Sequence, residues 1–507
     1  MSEKITRRKF ISTGSVISAG MMTPGCHILE LFPKKPNLLF IWTDEQRADT
    51  MAVYGNNKIK TPNLNRLAEQ SFIFQKAYVT QPVSTPSRSS VMTGLYPHTS
   101  GLTANNIPLP EEVLCFPELL NDPGYKTAYM GKWHLGDEVF AQHGFETWVS
   151  IEDNYIQYYS GKRDKNTRSD YHHWLVEKGY KPDRENNIFS RDFAVSLPLE
   201  HCKPKFLEEQ ACDYLEKNKD HPFILYVNFL EPHMPFSGPF NDLYNPGNID
   251  IPGNFNDPLE ENEPLRYRNK REECIRKYGP GEQQFRELIS RYWGLVSQVD
   301  LSIGVILDKL EKLGLADNTI VVFTSDHGDM MGSHQMVEKS VMFEESVSIP
   351  FMMRIPFMTK KQTIIKRHVS QIDIVPTLLE LMNKKIPVNL EGRSLAPLLK
   401  GHFIPEDFIF IEWNGKPYNG RFVTEEEIKQ AAEQSSVRTV ISPDGWKLCL
   451  HDTDHSQLFN LNEDPLETTN LFTDNAYQEK IDFLTGKIKE WQKLTNDQFR
   501  LNNFIIK

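Results

Sequence analysis

The chain carries four short, largely apolar runs, Asn37–Trp42, Lys126–Met130, Phe223–Val227 and Thr319–Phe323, and few folds can bury all of them. Each has the length of a strand, and none alternates strictly between apolar and polar residues. Both faces of each must therefore be covered, as in a strand inside a parallel sheet. Helical periodicity lies between the runs. Its clearest instance is Phe285, Leu288, Tyr292, Leu295, Val299, Ile303, Ile306 and Leu310, spaced by three and four residues, with Gly314 as the stop. Strands alternating with helices predict an α/β fold, a large and mainly parallel sheet flanked by helices.

The remaining length leaves room for a smaller unit. From about Pro405 the pattern shortens to runs such as Phe408–Ile411 and Trp446–Leu450, with Pro443-Asp444-Gly445 as a turn. A closing amphipathic helix presents Ile481, Leu484, Ile488, Trp491 and Leu494 on one face. This predicts a C-terminal α+β subdomain over 405–507, after a catalytic domain over 27–404. Tyr155–Pro280 reads as loop-rich, the kind of region in which an α/β enzyme carries specificity.

Residues 1–26 read as an export signal: Arg7-Arg8 opens a basic segment, and Ile11–Met22 is mildly apolar and rich in small residues. That run is too short and too broken by Ser and Gly to span a bilayer. Gly25-Cys26 is a candidate lipid-attachment site, although Thr23 and Pro24 are not its usual flanks. The expected location is the periplasm, or the cell surface under a lipid anchor. None of the six cysteines forms a CxxC pair, which points away from a zinc knuckle or a redox motif. Five would remain after signal removal, an odd number that argues against a full disulfide framework, so they are expected as small buried hydrophobes.

The residues directly after each apolar run carry the chemistry. The runs end at Asp44-Glu45-Gln46-Arg47, Gly131-Lys132-Trp133-His134, Glu231-Pro232-His233 and Asp326-His327-Gly328-Asp329. Ligands of open α/β sheets bind beyond the carboxyl ends of the strands, and parallel strands bring these groups to one edge. A single carboxylate after a strand is ordinarily a solvated loop residue or a helix cap. Four strand ends so equipped bring no packing benefit, and a shared site explains them better. Asp44, Glu45, Asp326 and His327 suit a divalent cation: three carboxylates favour calcium or magnesium, and the imidazole leaves manganese open. The net charge of −11 speaks against a nucleic-acid partner and means that an anionic substrate needs local cations. Arg88, Lys132, His134, His233 and Lys339 would supply them. A metal and cationic donors around an ester anion is the arrangement for sulfuryl or phosphoryl transfer. Ser84 is the candidate nucleophile, before Pro86 and the helix-like stretch Ser87–Thr93.

Ser84-Thr85-Pro86-Ser87-Arg88, with Met92-Thr93-Gly94 after it, resembles the signature of the type I sulfatases, members of the alkaline phosphatase superfamily. Gly131-Lys132-Trp133-His134-Leu135-Gly136 is similar to the family's second signature, and Asp326-His327-Gly328-Asp329 with Lys339 to a third. Leu458-Phe459-Asn460-Leu461, with Asp464-Pro465, Glu467 and Asn470-Leu471, resembles the C-terminal motif. The resemblance implies an alkaline-phosphatase-like fold and a formylglycine nucleophile, made from Ser84 by a maturase. One hydroxyl of its hydrate, bound to the metal, attacks sulfur, and the other then expels sulfate. Asp44, Glu45, Ser84, Asp326 and His327 fall on the metal positions, with calcium the usual ion. Arg88 and His134 would hold the diol, Lys132 and Lys339 the sulfate oxygens, and His233 would protonate the leaving alcohol. An exported sulfatase of this size resembles those acting on sulfated carbohydrates.

Two departures stand out. Glu45 occupies a position where Asp is usual, and Ser84 one where Cys is the other family choice, which implies a maturase of the bacterial serine-accepting type. Two alternatives share the scaffold: a phosphodiester or phosphonate monoester hydrolase, for which an unmodified Ser84 would suffice, and a glycan-binding relative without activity.

Overall fold

The computed structural model describes residues 35–415 and 425–499. The expected export signal, Cys26 included, lies outside the described residues. Strands β1 (Asn37–Asp44), β2 (Phe72–Tyr78), β3 (Lys126–Gly131), β4 (Thr147–Ser150), β5 (Phe223–Pro232), β6 (Thr319–Ser325), β7 (Ser348–Arg354) and β8 (Thr363–Ser370) form one sheet, in the order β4-β3-β5-β1-β6-β7-β2-β8. Only β7 runs against the rest, antiparallel to both β6 and β2. The four apolar runs are the adjacent parallel strands β3-β5-β1-β6.

Helices cover both faces, as the unbroken runs require. Along β1, Leu38, Phe40 and Trp42 point to one side and Leu39 and Ile41 to the other, the two-residue period of a strand. The first side packs against Val91 and Met92 of α1 (Ser84–Thr93). The second packs against Phe206, Leu207, Ala211 and Leu215 of α2 (Lys203–Lys217) and Val299, Ile303 and Ile306 of α3 (Glu282–Lys312). The α3 helix ends where the periodicity predicts, and Gly314 takes the left-handed conformation beyond it (φ +71°). The stretch expected as loop-rich holds more helix than that, since α2 and the helix Leu265–Tyr278 both fall within it. Charged residues within them, as in Lys203-Pro204-Lys205 and Arg266–Arg271, break up their narrow apolar stripes in the sequence.

The C-terminal part forms a second, antiparallel sheet of β9 (Ile409–Trp413), β10 (Val437–Ile441), β11 (Trp446–His451) and β12 (Gln457–Asn460). Helix α4 (Gln478–Thr495) lays Ile481, Leu484, Ile488 and Trp491 on Phe410, Val440 and Leu448 of that sheet. Lys447, fully buried on β11, pairs with Glu344 (2.9 Å) and Glu467 (2.8 Å) and so ties the second sheet to the loops of the first. Cys115, Cys202, Cys274 and Cys449 are buried free thiols and Cys212 is half-buried. Among the described residues, no helix is long and apolar enough to cross a membrane.

The end of β3 shows how tightly the central strands meet. Gly131 has φ +116°, and a Cβ there would overlap the carbonyl oxygen of Asn228 on β5. Gly131→Ala is expected to destabilise the fold by about 3 kcal/mol or more, read as a lowered denaturant midpoint. A neutral result would mean that the two strand ends do not pack this closely.

Candidate active site

At the carboxyl edge of the sheet the ends of β1 and β6 lock together. The Asp326 N–H donates to the Thr43 carbonyl (3.1 Å), and the Glu45 N–H donates to Asp326 Oδ1 (3.0 Å). Glu45 turns out of the strand with φ +68°, and its carbonyl accepts from the Tyr292 hydroxyl of α3 at 2.7 Å.

Arg88, from the second turn of α1, is fully buried at the centre. It donates through Nε to Asp326 Oδ2 (2.9 Å), through Nη2 to Asp44 Oδ2 (2.8 Å), and through Nη1 to the Lys132 carbonyl (2.7 Å) and Asn228 Oδ1 (3.0 Å). Lys132, held by the Gly131 turn, donates to the same Asp44 oxygen. Burial alone would raise the Asp44 carboxyl, but the Lys132 ammonium and Arg88 guanidinium outweigh it and hold the group well below the usual carboxylate range. Lys339 Nζ donates to Glu45 Oε2 at 2.8 Å, and His233 Nε2 stands 3.5 Å from that oxygen. For Glu45 burial prevails over Lys339, and its carboxyl is pushed well up.

Ser84, at the start of α1, has its Oγ 3.1 Å from His327 Nε2. His327 Nδ1 lies 3.0 Å from the Gly328 carbonyl, which can only accept. Nδ1 therefore carries the proton, the Nε2 lone pair faces the site, and the Ser84 hydroxyl donates to it. The same reasoning puts the His233 proton on Nδ1, toward the Met234 carbonyl at 2.8 Å. Burial, and then the Lys339 ammonium, push the His233 imidazolium well below its ordinary range.

Nine of the ten sequence-predicted residues touch another of the set by side chain, in three groups: Arg88 with Asp44, Asp326 and Lys132, Glu45 with Lys339 and His233, and Ser84 with His327, whose Nε2 stands 3.6 Å from Asp326 Oδ1. His134 stands apart by side chain. Its carbonyl accepts from Thr85 Oγ1, its Nε2 meets Asn106 Oδ1 at 3.0 Å, and its ring lies 4.4 Å from that of Tyr155. Several contributors went unassigned in the sequence. Asn228, which holds Arg88, is an amide set between the apolar run Phe223–Val227 and Phe229-Leu230, and that was a readable signal. Asp329 accepts from the Met331 and Glu338 amides and shapes the loop leading to Lys339. Glu138 accepts from the Trp133 and His134 amides. No periodicity marks either carboxylate.

The residues present fit a divalent cation. Among the described residues, the buried Asp44 Oδ1 and Glu45 Oε1 have no hydrogen-bond partner. Ligand atoms of Asp44, Asp326 and His327 lie within 4.8 Å of one another, as do those of Asp44, Glu45 and His233. With all of them ionised, the buried carboxylates Asp44, Glu45, Asp326 and Asp329 exceed the buried cations Arg88, Lys132 and Lys339 by one negative charge, and a cation beside Glu45 would favour its ionised form. A divalent ion would reverse that to one positive charge, matching a singly charged ester anion, and would supply Lewis acidity to an oxygen bound there.

The sulfatase family profile matches residues 36–384, well over half of the chain. The chain belongs to the sulfatase family. This sulfatase is thus a hydrolase of the alkaline phosphatase superfamily, and its residues 332–494 also match the profile for the C-terminal part of N-sulphoglucosamine sulphohydrolase. An ulvan-active sulfatase from Formosa agariphila is 29% identical, over 94% of this chain and 84% of its own length. A protein solved in complex with its substrate D-glucosamine-2-N,6-O-disulfate shares the fold with a TM-score of 0.72, at 22% identity, covering 93% of this chain and all of the other. The phosphonate monoester hydrolase from Silicibacter pomeroyi gives a TM-score of 0.76 at 20% identity, covering 92% and 96%. At such identities the two structures speak for the architecture of this sulfatase alone.

Proposed function

We propose that this sulfatase removes sulfate from a sulfated glycan, using a formylglycine made from Ser84 and one divalent cation, calcium by preference. The observation that carries the reading is the meeting of Ser84 Oγ, the His327 lone pair and the partnerless oxygens of Asp44 and Glu45 in one buried place. Asp44, Glu45, Asp326 and His327 would hold the cation. A hydrated aldehyde at position 84 supplies two hydroxyls, one to attack sulfur and one to expel sulfate. Lys132 and Lys339 meet the sulfate oxygens, while Arg88 and His134 hold position 84 in place. His233 protonates the departing oxygen, and the negative charge of the ester favours the protonated imidazole that this role needs. The likeness to an ulvan-active sulfatase and to a protein solved with a glucosamine disulfate supports a carbohydrate leaving group. Export to the periplasm or to a lipid anchor belongs to the same reading, supported by Arg7-Arg8 and the small-residue run after it. So does an encounter with a serine-accepting maturase.

Parallel turnover of sulfated mono- and disaccharides and of aryl phosphate and phosphonate esters tests the reaction. Faster hydrolysis of the phosphorus esters would move the activity to phosphoryl or phosphonate transfer. His233 has its own test, because a sugar alkoxide needs a proton to leave and a nitrophenolate barely does. His233→Ala is expected to lower turnover of a sulfated sugar about a hundredfold more than that of nitrophenyl sulfate. Equal losses on both would make His233 a binding or structural residue.

A further inference from the structure

A cleft of about 850 Å³ opens beside the site, lined by Asn154, by residues of the segment 183–192, and by Met234 and Pro235. The last two come directly after His233, and His233 donates to the Met234 carbonyl. The cleft therefore adjoins the segment that carries the proposed general acid. One lining residue is built as a fixed cation. Arg191 donates through Nε to Glu152 Oε2 (2.8 Å) and through Nη2 to the same carboxylate and to the Tyr155 hydroxyl (3.0 Å).

Glu152 is 1% exposed and is also held by Lys203. Burial would raise its carboxyl, but Arg191 and Lys203 push it down to about 2, so it stays ionised and anchors the guanidinium from behind. The Arg191 side chain is 21% exposed, and its Nη1 hydrogen-bonds to none of the described residues. Tyr155, which accepts from Arg191, is the residue whose ring lies against His134. The guanidinium thus stands one ring away from His134. Arg184, also on the cleft, lies 3.7 Å from both Asp183 and Asp192, and these three are exposed at the rim, where water screens them. A guanidinium held in this way through Nε and Nη2 keeps Nη1 free to donate to a carboxylate or a sulfate oxygen, and needs no further ordering to bind it.

We propose that Arg191 selects leaving groups bearing a second anionic group, a carboxylate or a further sulfate, apart from the ester that is cleaved. This rests on the sulfatase reading and narrows it to polyanionic saccharides. The test is calorimetric binding to the calcium-loaded protein in its Ser84 form, which does not depend on turnover. The ligands are a hexose monosulfate, the matching hexuronic acid sulfate and a hexose disulfate.

The unaltered protein is expected to bind at least one dianionic ligand about tenfold more tightly than the monosulfate. Arg191→Gln should lower that affinity about ten- to a hundredfold, with a loss on the monosulfate at least about tenfold smaller, and Arg191→Lys should keep part of the preference. The hexuronate and disulfate arms tell which anion is recognised. No preference in the unaltered protein, or equal losses on all three ligands, would overturn the proposal. A matured enzyme that released no sulfate, yet kept an Arg191-dependent preference, would overturn the sulfatase reading and uphold the role of Arg191.

Discussion

Replacing Ser84 with alanine is expected to lower sulfate-ester turnover by about four orders of magnitude or more, because the reacting oxygen is lost while the groups that bind the ester remain. Stability should hardly change: Oγ makes one side-chain hydrogen bond, to His327, worth about 1 kcal/mol. The chemical state of position 84 is the sharper measurement. Protein from a host with a serine-accepting maturase should show the peptide containing position 84 lighter by a pair of hydrogens, the mass of an aldehyde in place of the alcohol. Protein from a host without it should keep the alcohol, fold normally and bind the ester without releasing sulfate. A sulfated serine has no second hydroxyl with which to expel its sulfate and must wait for water. Equal turnover by the two forms would dismiss the formylglycine, and fast phosphate-ester hydrolysis by the serine form would favour the phosphoryl-transfer alternative.

Removal of the divalent cation is expected to abolish turnover and lower thermal stability together. Without it the four buried carboxylates of the site outnumber its three buried cations, and among the described residues Asp44 Oδ1 and Glu45 Oε1 have no hydrogen-bond partner. After chelation, calcium at a hundredfold excess over its dissociation constant should restore about 2.7 kcal/mol. Asp326→Ala should lose metal and turnover, and should also cost about 3–5 kcal/mol, since it strips a partner from the fully buried Arg88. Glu45→Ala should lose less activity, because one of its two oxygens already serves Lys339. Full activity in metal-free protein would dismiss the cation.

Legibility followed how many sides of a residue are covered. The central strands β1, β3, β5 and β6 could be read because burial on both faces leaves long apolar runs, and the site could be read because those runs end in charge. β2 was harder: Gln75 and Lys76 interrupt its apolar run next to the outermost strand, β8. The reversed direction of β7 left no trace, since Ser348–Arg354 is largely apolar like the parallel strands and periodicity carries no sense of direction. Within the site, residues that carry charge beyond a strand end were found. Asp329 and Glu138, which hold the loops behind those charges in place, were not, because hydrogen bonds to backbone amides imprint no pattern on the residues around them.

The burial of Ser84 has a bearing on timing. The residue is 1% exposed, begins a helix whose ten residues are all buried, and faces His327 behind the end of the central sheet. An enzyme that oxidises its side chain must close its own active site around that segment, and the folded chain offers no such grip. The proposed maturation of Ser84 would thereby be confined to the interval before α1 docks on the sheet. Folding speed then competes with modification, and a substitution that hastened docking would raise the share of stable but inert molecules.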